Sequence, residues 1–124
     1  MDDLVQWLRA QLDEDERIAR AAEGDPVFDG TGIVVERNLA PGFPDRVAGL
    51  ISPVATHIAR HDPARVLREI DAKRQALDHY EECARAGKGG VAAYRMAAGA
   101  VAMQIAIMAL PYADRPGYRE EWRP

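Results

Sequence analysis

The chain has 124 residues, with 20 acidic and 16 basic side chains, a formal net charge of −4 and 48% hydrophobic residues. This length predicts one globular domain over residues 1–124. The mild acidity argues against nucleic acid or an acidic membrane as a partner. The single cysteine, Cys83, excludes an intramolecular disulfide and a thiol-ligated zinc cluster within one chain. Because a lone cysteine suits a reducing compartment, we expect a cytoplasmic protein, and the start at Met1 argues against secretion because it lacks the basic and apolar segments of a signal peptide.

Residues 1–22 have the apolar spacing of an amphipathic helix. Asp15 interrupts the apolar stripe, which indicates either the helix edge or a basic partner such as Arg74. The outer face is rich in charges of both signs, typical of a solvated surface with local ion pairs. The apolar side is predicted to consist of Leu4, Leu8, Leu12, Ile18 and Ala19.

Residues 23–53 are rich in turn-forming residues, with five glycines and four prolines. Within this region, Gly32 to Arg37 has the composition of a short strand. Arg46 to Ile51 could pair with it across the intervening loop. We therefore predict a small β-hairpin packed on helices.

Residues 54–84 predict a short helix over Val54 to Arg60 and then a long helix. Asp62 followed by Pro63 is typical of an N-cap and first helical position. The long helix is expected to end near Ala84, before a loop formed by Gly87, Gly89 and Gly90. Its predicted buried residues are Val66, Ile70, Leu77 and Tyr80.

Residues 91–110 form a nearly all-apolar segment, which predicts a helix covered on most of its faces. Such a helix is either central to the fold or part of an interface. The run from Met96 to Leu110 is shorter than the roughly 20 residues that a membrane span needs, so we expect no membrane partner. Residues 111–124 carry the aromatic side chains Tyr112, Tyr118 and Trp122, which are expected to dock the tail onto the core.

The predicted fold is mainly α, a small helical domain of three main helices with a short extra helix and a minor β-hairpin. Three stretches of this sequence resemble a family of small actinobacterial and actinophage proteins known only as a domain of unknown function. The resemblance implies a source but no activity, so no functional residue is carried over from it. The stretches are Asp3-Leu4-Val5 through Leu12-Asp13-Glu14-Asp15, His57-Ile58-Ala59-Arg60-His61-Asp62-Pro63-Ala64-Arg65-Val66-Leu67 through Asp71-Ala72-Lys73-Arg74, and Ala109-Leu110-Pro111-Tyr112-Ala113-Asp114 to Glu121-Trp122-Arg123-Pro124.

Three histidines form the sharpest chemical constellation. His57 and His61 are four residues apart, which places them on one helical face, and His79 lies on the next helix. Together they could bind a divalent metal. The structural alternative is that His61, near a helix end, bonds a free backbone carbonyl.

Other reactive groups have weaker signatures. As a nucleophile, Ser52 lacks the glycine-framed elbow that would expose it, and it precedes Pro53. Cys83 lies away from a helix N-terminus, which would lower its pKa. The glycine-rich loop around Lys88 is shorter than a phosphate-binding P-loop. A basic side of the long helix is explained as well by an acidic neighbouring helix as by nucleic acid. Its members are Arg60, Arg65, Arg68, Lys73 and Arg74.

The sequence therefore favours a non-enzymatic protein-interaction or accessory module without a cofactor. Its partner is an unidentified protein or a second copy of the chain. The alternative is a metal-binding protein or a metal-dependent hydrolase, with a divalent metal at His57, His61 and His79.

Overall fold

The computed structural model describes residues 1–22, 27–28, 34–35, 57 and 60–124. Within these residues the fold is mainly helical, as predicted. The helices are α1 (Asp2–Ala21), α2 (Pro63–Lys88) and α3 (Ala92–Ala109), and two short 3₁₀ helices cover Leu110–Tyr112 and Glu120–Trp122. Two short strands are β1 (Val27–Phe28) and β2 (Val34–Val35).

The chain divides into two units. One unit comprises Met1–Glu14 and Ile70–Pro124, and the other comprises Asp15–Glu69. We call them the first and the second unit. The sequence-based expectation of one domain over residues 1–124 stays a prediction.

Helix α1 buries the apolar side that its sequence predicts. Leu4, Leu8 and Leu12 recur every four residues and are each 0% exposed, because this spacing keeps them on one side of an α-helix. Ala19 is also buried, whereas Ile18 is 53% exposed. The prediction that Ile18 lies inside was wrong, since it stands about 100° around the helix from Ala19.

Helix α2 begins as predicted. The backbone N–H of Arg65 donates to Asp62 Oδ1 at 2.7 Å, which satisfies one of the free amides at the helix start. Ile70, Leu77 and Tyr80 are buried, while Val66 is half-buried.

The end of α2 differs from the prediction. The helix continues to Lys88 and includes Gly87, which was expected in the loop. A Cβ on Gly87 would lie 3.0 Å from Arg95 Cγ and 3.2 Å from Arg95 Cα. The glycine thus admits the start of α3, and the chain turns at Gly90, whose φ is 95°.

The predicted hairpin between Gly32 to Arg37 and Arg46 to Ile51 is not supported. Val34–Val35 instead pairs antiparallel with Val27–Phe28, and residues 46–51 lie outside the described part. Of the residues in the predicted short helix, His57 and Arg60 are helical. The others lie outside the described residues.

Helix α3 was expected to be covered on most of its faces, and within the part of the chain that the structure describes this is wrong. It buries only one side, through Ile105, Ala106 and Ala109. The segment Ala92–Tyr112 is long and apolar enough to cross a membrane, with 17% of its most apolar window buried. Core helices of soluble proteins share this length and composition.

Candidate protein-interaction surface

An exposed apolar stripe runs along α3, opposite its buried side. Met96 is 79% exposed, Met103 is 51% exposed and Ile107 is 46% exposed. Gly99 and Ala100 are exposed between them. At 3.6 residues per turn, these five residues fall within an arc of about 100°. We call them the open face.

The open face is neutral. Arg95 is the one charged residue in the sequence of α3, and it lies about 100° from Met96 around the helix. Methionine side chains are flexible and polarizable, so they adapt to the shape of an apolar partner. The face is therefore suited to an uncharged apolar surface.

An aromatic cluster in the first unit docks the tail, as the sequence predicts. The ring centroids of Trp7 and Tyr118 lie 5.6 Å apart, and those of Trp7 and Trp122 lie 5.5 Å apart. Trp7 Nε1–H donates to the carbonyl oxygen of Pro116 at 3.1 Å. The C-terminal segment is thus held against α1.

Tyr112 anchors the beginning of the same tail. Its side chain is 5% exposed, and Lys73 Nζ donates to its hydroxyl oxygen at 2.8 Å. The guanidinium of Arg115 lies 4.8 Å from the ring centroid, a favourable cation–π distance. Together these contacts fix the C-terminal end of α3 against α2.

A groove of about 310 Å³ lies beside the open face. Gly99 and Met103 belong to both, and Trp122 of the tail also lines the groove. Sequence reasoning missed the groove, because the tail residues that complete it are distant in sequence from α3. Its lining comprises Met1, Leu4, Gly99, Ala102, Met103, Ala106, Glu121, Trp122, Arg123 and Pro124.

The three predicted metal ligands belong to different units. In the second unit, the rings of His57 and His61 stack with centroids 4.3 Å apart. His61 Nδ1 lies 2.9 Å from the carbonyl oxygen of His57, which fits the structural alternative of a histidine bonding a backbone carbonyl. In the first unit, His79 Nε2 lies 3.8 Å from Cys83 Sγ.

No group of three or more His, Cys, Asp or Glu residues that could hold a metal ion occurs in the described part of the chain. The metal site at His57, His61 and His79 stays a prediction. In the second unit, Asp15 and His61 line an otherwise apolar cavity of about 290 Å³ with Ile18, Ala19, Ala22, Pro63 and Val66. Arg74, the partner suggested for Asp15, donates to Asp13 Oδ1 at 2.6 Å, and the pairing of Asp15 itself stays a prediction.

Ion pairs join the acidic and basic sides of α1 and α2 within the first unit. Besides Arg74 and Asp13, Arg9 lies 2.8 Å from Asp78 and 3.2 Å from Glu81. The hydrogen bond to Asp78 is the main cause that raises the pKa of Arg9 above its usual value. The contact of Arg74 with Asp13 agrees with the interpretation that the basic side of α2 faces an acidic helix, whereas Arg9 pairs in the opposite sense, with two acidic residues of α2.

Comparisons with known proteins identify a family but no characterised relative. The model of a family of unknown function, DUF6221, matches residues 1–124. No curated protein matches the chain, and no solved structure matches it. The resemblance to a domain of unknown function is confirmed, whereas an actinobacterial or phage origin stays a prediction.

Proposed function

The chain belongs to the DUF6221 family of unknown function, and we propose that it is a non-enzymatic protein-interaction module whose open face binds a protein. The observation that carries this proposal is the exposure of Met96, Met103 and Ile107 along one neutral stripe of α3. The cytoplasmic location expected from the sequence belongs to the same proposal.

Burial of the open face supplies the driving force for binding. Complete burial of a Met or Ile side chain is worth about 1.5–3 kcal/mol. Three such side chains in one contiguous stripe therefore favour a covered state. Single exposed apolar residues are common on protein surfaces, but a regular row along a helix is typical of an interface.

The opposite side of α3 provides a rigid support. Ile105 is 0% exposed and Ala109 is 0% exposed, so this side is fixed in the core of the first unit. Tyr112 and the aromatic cluster hold the segment that follows. Because the helix is already ordered, binding through the open face costs little backbone entropy.

Site-specific photocrosslinking in cells tests the proposal. A photoreactive amino acid replaces Met103, and the matched control carries it at Gln75, an exposed position on α2. We expect covalent protein adducts from position 103 and few from position 75. Adducts to lipid alone, or equal protein labelling at both positions, would overturn the proposal.

A further inference from the structure

Packing against the residues that the structure describes does not explain Gly99. A Cβ at this position would meet nothing within 4 Å, although glycine inside a helix weakens it relative to alanine. Gly87 is different, because its Cβ would lie 3.0 Å from Arg95 Cγ. Contacts inside the first unit account for Gly87, which leaves the close approach of another backbone as a role for Gly99.

The open face is self-complementary in size. If two copies of α3 pack antiparallel about a point between Val101 and Ala102, Met96 faces Ile107 of the other copy. In the same register, Ala100 faces Met103 of the other copy. Met103 of each copy then lies over the smaller Ala100 of the other, which lets the helices approach closely at the centre, while Met96 and Ile107 form an apolar contact at each end.

The charges of α3 favour the same arrangement. The open face holds no charged group, so a charged partner surface would lose hydration without gaining an ion pair. In addition, α3 has no acidic residue in its first turn and no basic residue in its last turn. Antiparallel packing places the positive end of each helix dipole beside the negative end of the other.

The groove enlarges the surface available to a second helix. A stable interface typically buries about 800 Å² on each partner, more than one short stripe offers. The groove shares Gly99 and Met103 with the open face and adds Trp122 of the tail. A helix lying on the open face therefore also reaches surface outside α3, which is apolar at Trp122 and charged at Glu121 and Arg123.

From these observations, and resting on the proposed function, we propose that the partner is a second copy of this chain. The two copies pack α3 against α3, antiparallel, with Met103 of each copy over Gly99 and Ala100 of the other. A twofold axis then passes between Val101 and Ala102.

Cysteine crosslinking tests this register on the full chain. Met96→Cys and Ile107→Cys variants are oxidised separately and as a mixture, with the wild-type chain as control because its Cys83 is buried. We expect the mixture to form a crosslinked dimer and each variant by itself to form little. Crosslinking of Met96→Cys by itself, or none in the mixture, would overturn the antiparallel register.

Sedimentation over a range of concentrations tests the dimer itself. Gly99→Leu places a bulky group where the second helix approaches, and Gln75→Leu is the matched control on α2. We expect Gly99→Leu to weaken dimerisation at least tenfold, with an unchanged circular dichroism spectrum, and the control to dimerise like wild type. Equal dimerisation of both variants would overturn the dimer.

The two proposals fail in different ways. A monomeric wild-type chain whose position 103 still crosslinks to another protein contradicts the dimer and leaves the interaction module standing. If position 103 gives no protein adducts at either low or high protein concentration, the dimer and the interaction module are both contradicted.

Discussion

Helices α1 and α3 both present apolar stripes, but only one stripe is covered. Leu4, Leu8 and Leu12 of α1 are each 0% exposed, whereas Met96 of α3 is 79% exposed and Met103 is 51% exposed. The more hydrophobic helix is thus the less buried one along these stripes. Hydropathy gives the amount of apolar surface on a helix, while the contrast between its faces indicates which side packs inside.

The largest expected difference between the two stripes concerns stability. Leu8→Ala removes a fully buried side chain, and we expect it to lower the free energy of unfolding by about 2–5 kcal/mol. Met103→Ala should change it by less than about 1 kcal/mol in dilute, monomeric protein. Urea unfolding at low concentration measures both. Equal losses would show that the open face is covered within the chain.

Gly117 probes the covered side of α1, since a Cβ there would lie 2.9 Å from Trp7 Nε1. Its φ is 87°, and Gly90 has a φ of 95° with nothing within 4 Å of a Cβ. Gly90→Ala should therefore cost only backbone strain, about 1–2 kcal/mol. We expect Gly117→Ala to cost at least about 1 kcal/mol more, from overpacking against Trp7. Thermal unfolding compares them, and equal losses would argue against a tight aromatic cluster.

Two helical glycines should respond with opposite signs. Gly99→Ala gains helix propensity without a clash, so we expect it to stabilise monomeric protein by about 0.5–1 kcal/mol. Gly87→Ala should destabilise because its Cβ would approach the Arg95 backbone at 3.2 Å. Denaturant midpoints measured at low concentration provide the test. Stabilisation by both substitutions would contradict the close approach of α2 and α3.

The ion pair between Asp13 and Arg74 lies at the edge of the covered stripe of α1. Its side chains are 70% and 28% exposed respectively, so solvent screens the interaction. A double-mutant cycle with Asp13→Asn and Arg74→Gln should give a coupling of about 0.2–1 kcal/mol. High salt should reduce this coupling, and a salt-independent value would indicate a buried pair.

Tyr80→Phe should have the smallest effect on the free energy of unfolding at neutral pH, and its effect should appear only at alkaline pH. Burial is the main cause that raises the pKa of Tyr80 above 10.0, and Asp2 of α1 adds to it. Above pH 10 the unfolded chain releases this proton before the folded chain does, so stability falls as the pH rises. Urea unfolding between pH 8 and pH 11 should show a shallower loss for the Phe variant. Identical slopes would contradict a raised pKa of Tyr80 in the folded chain.

The sequence by itself determined features that depend on neighbouring residues. The buried side of α1 follows from leucines four residues apart, and the start of α2 follows from Asp62 and Pro63, because helix periodicity and capping are local. The docked aromatic tail was also predictable, since large aromatic groups are strongly favoured in a core.

Only the tertiary structure decided which side of α3 is buried and where α2 ends. A helix that is apolar all round has no face that its sequence singles out, so the placement of Ile105 inside and Met96 outside depends on the surrounding elements. The absence of a side chain at Gly87 lets Arg95 approach the end of α2, and Trp122 of the tail completes the groove beside α3. These features depend on contacts between different elements, and local patterns carry no information about such contacts.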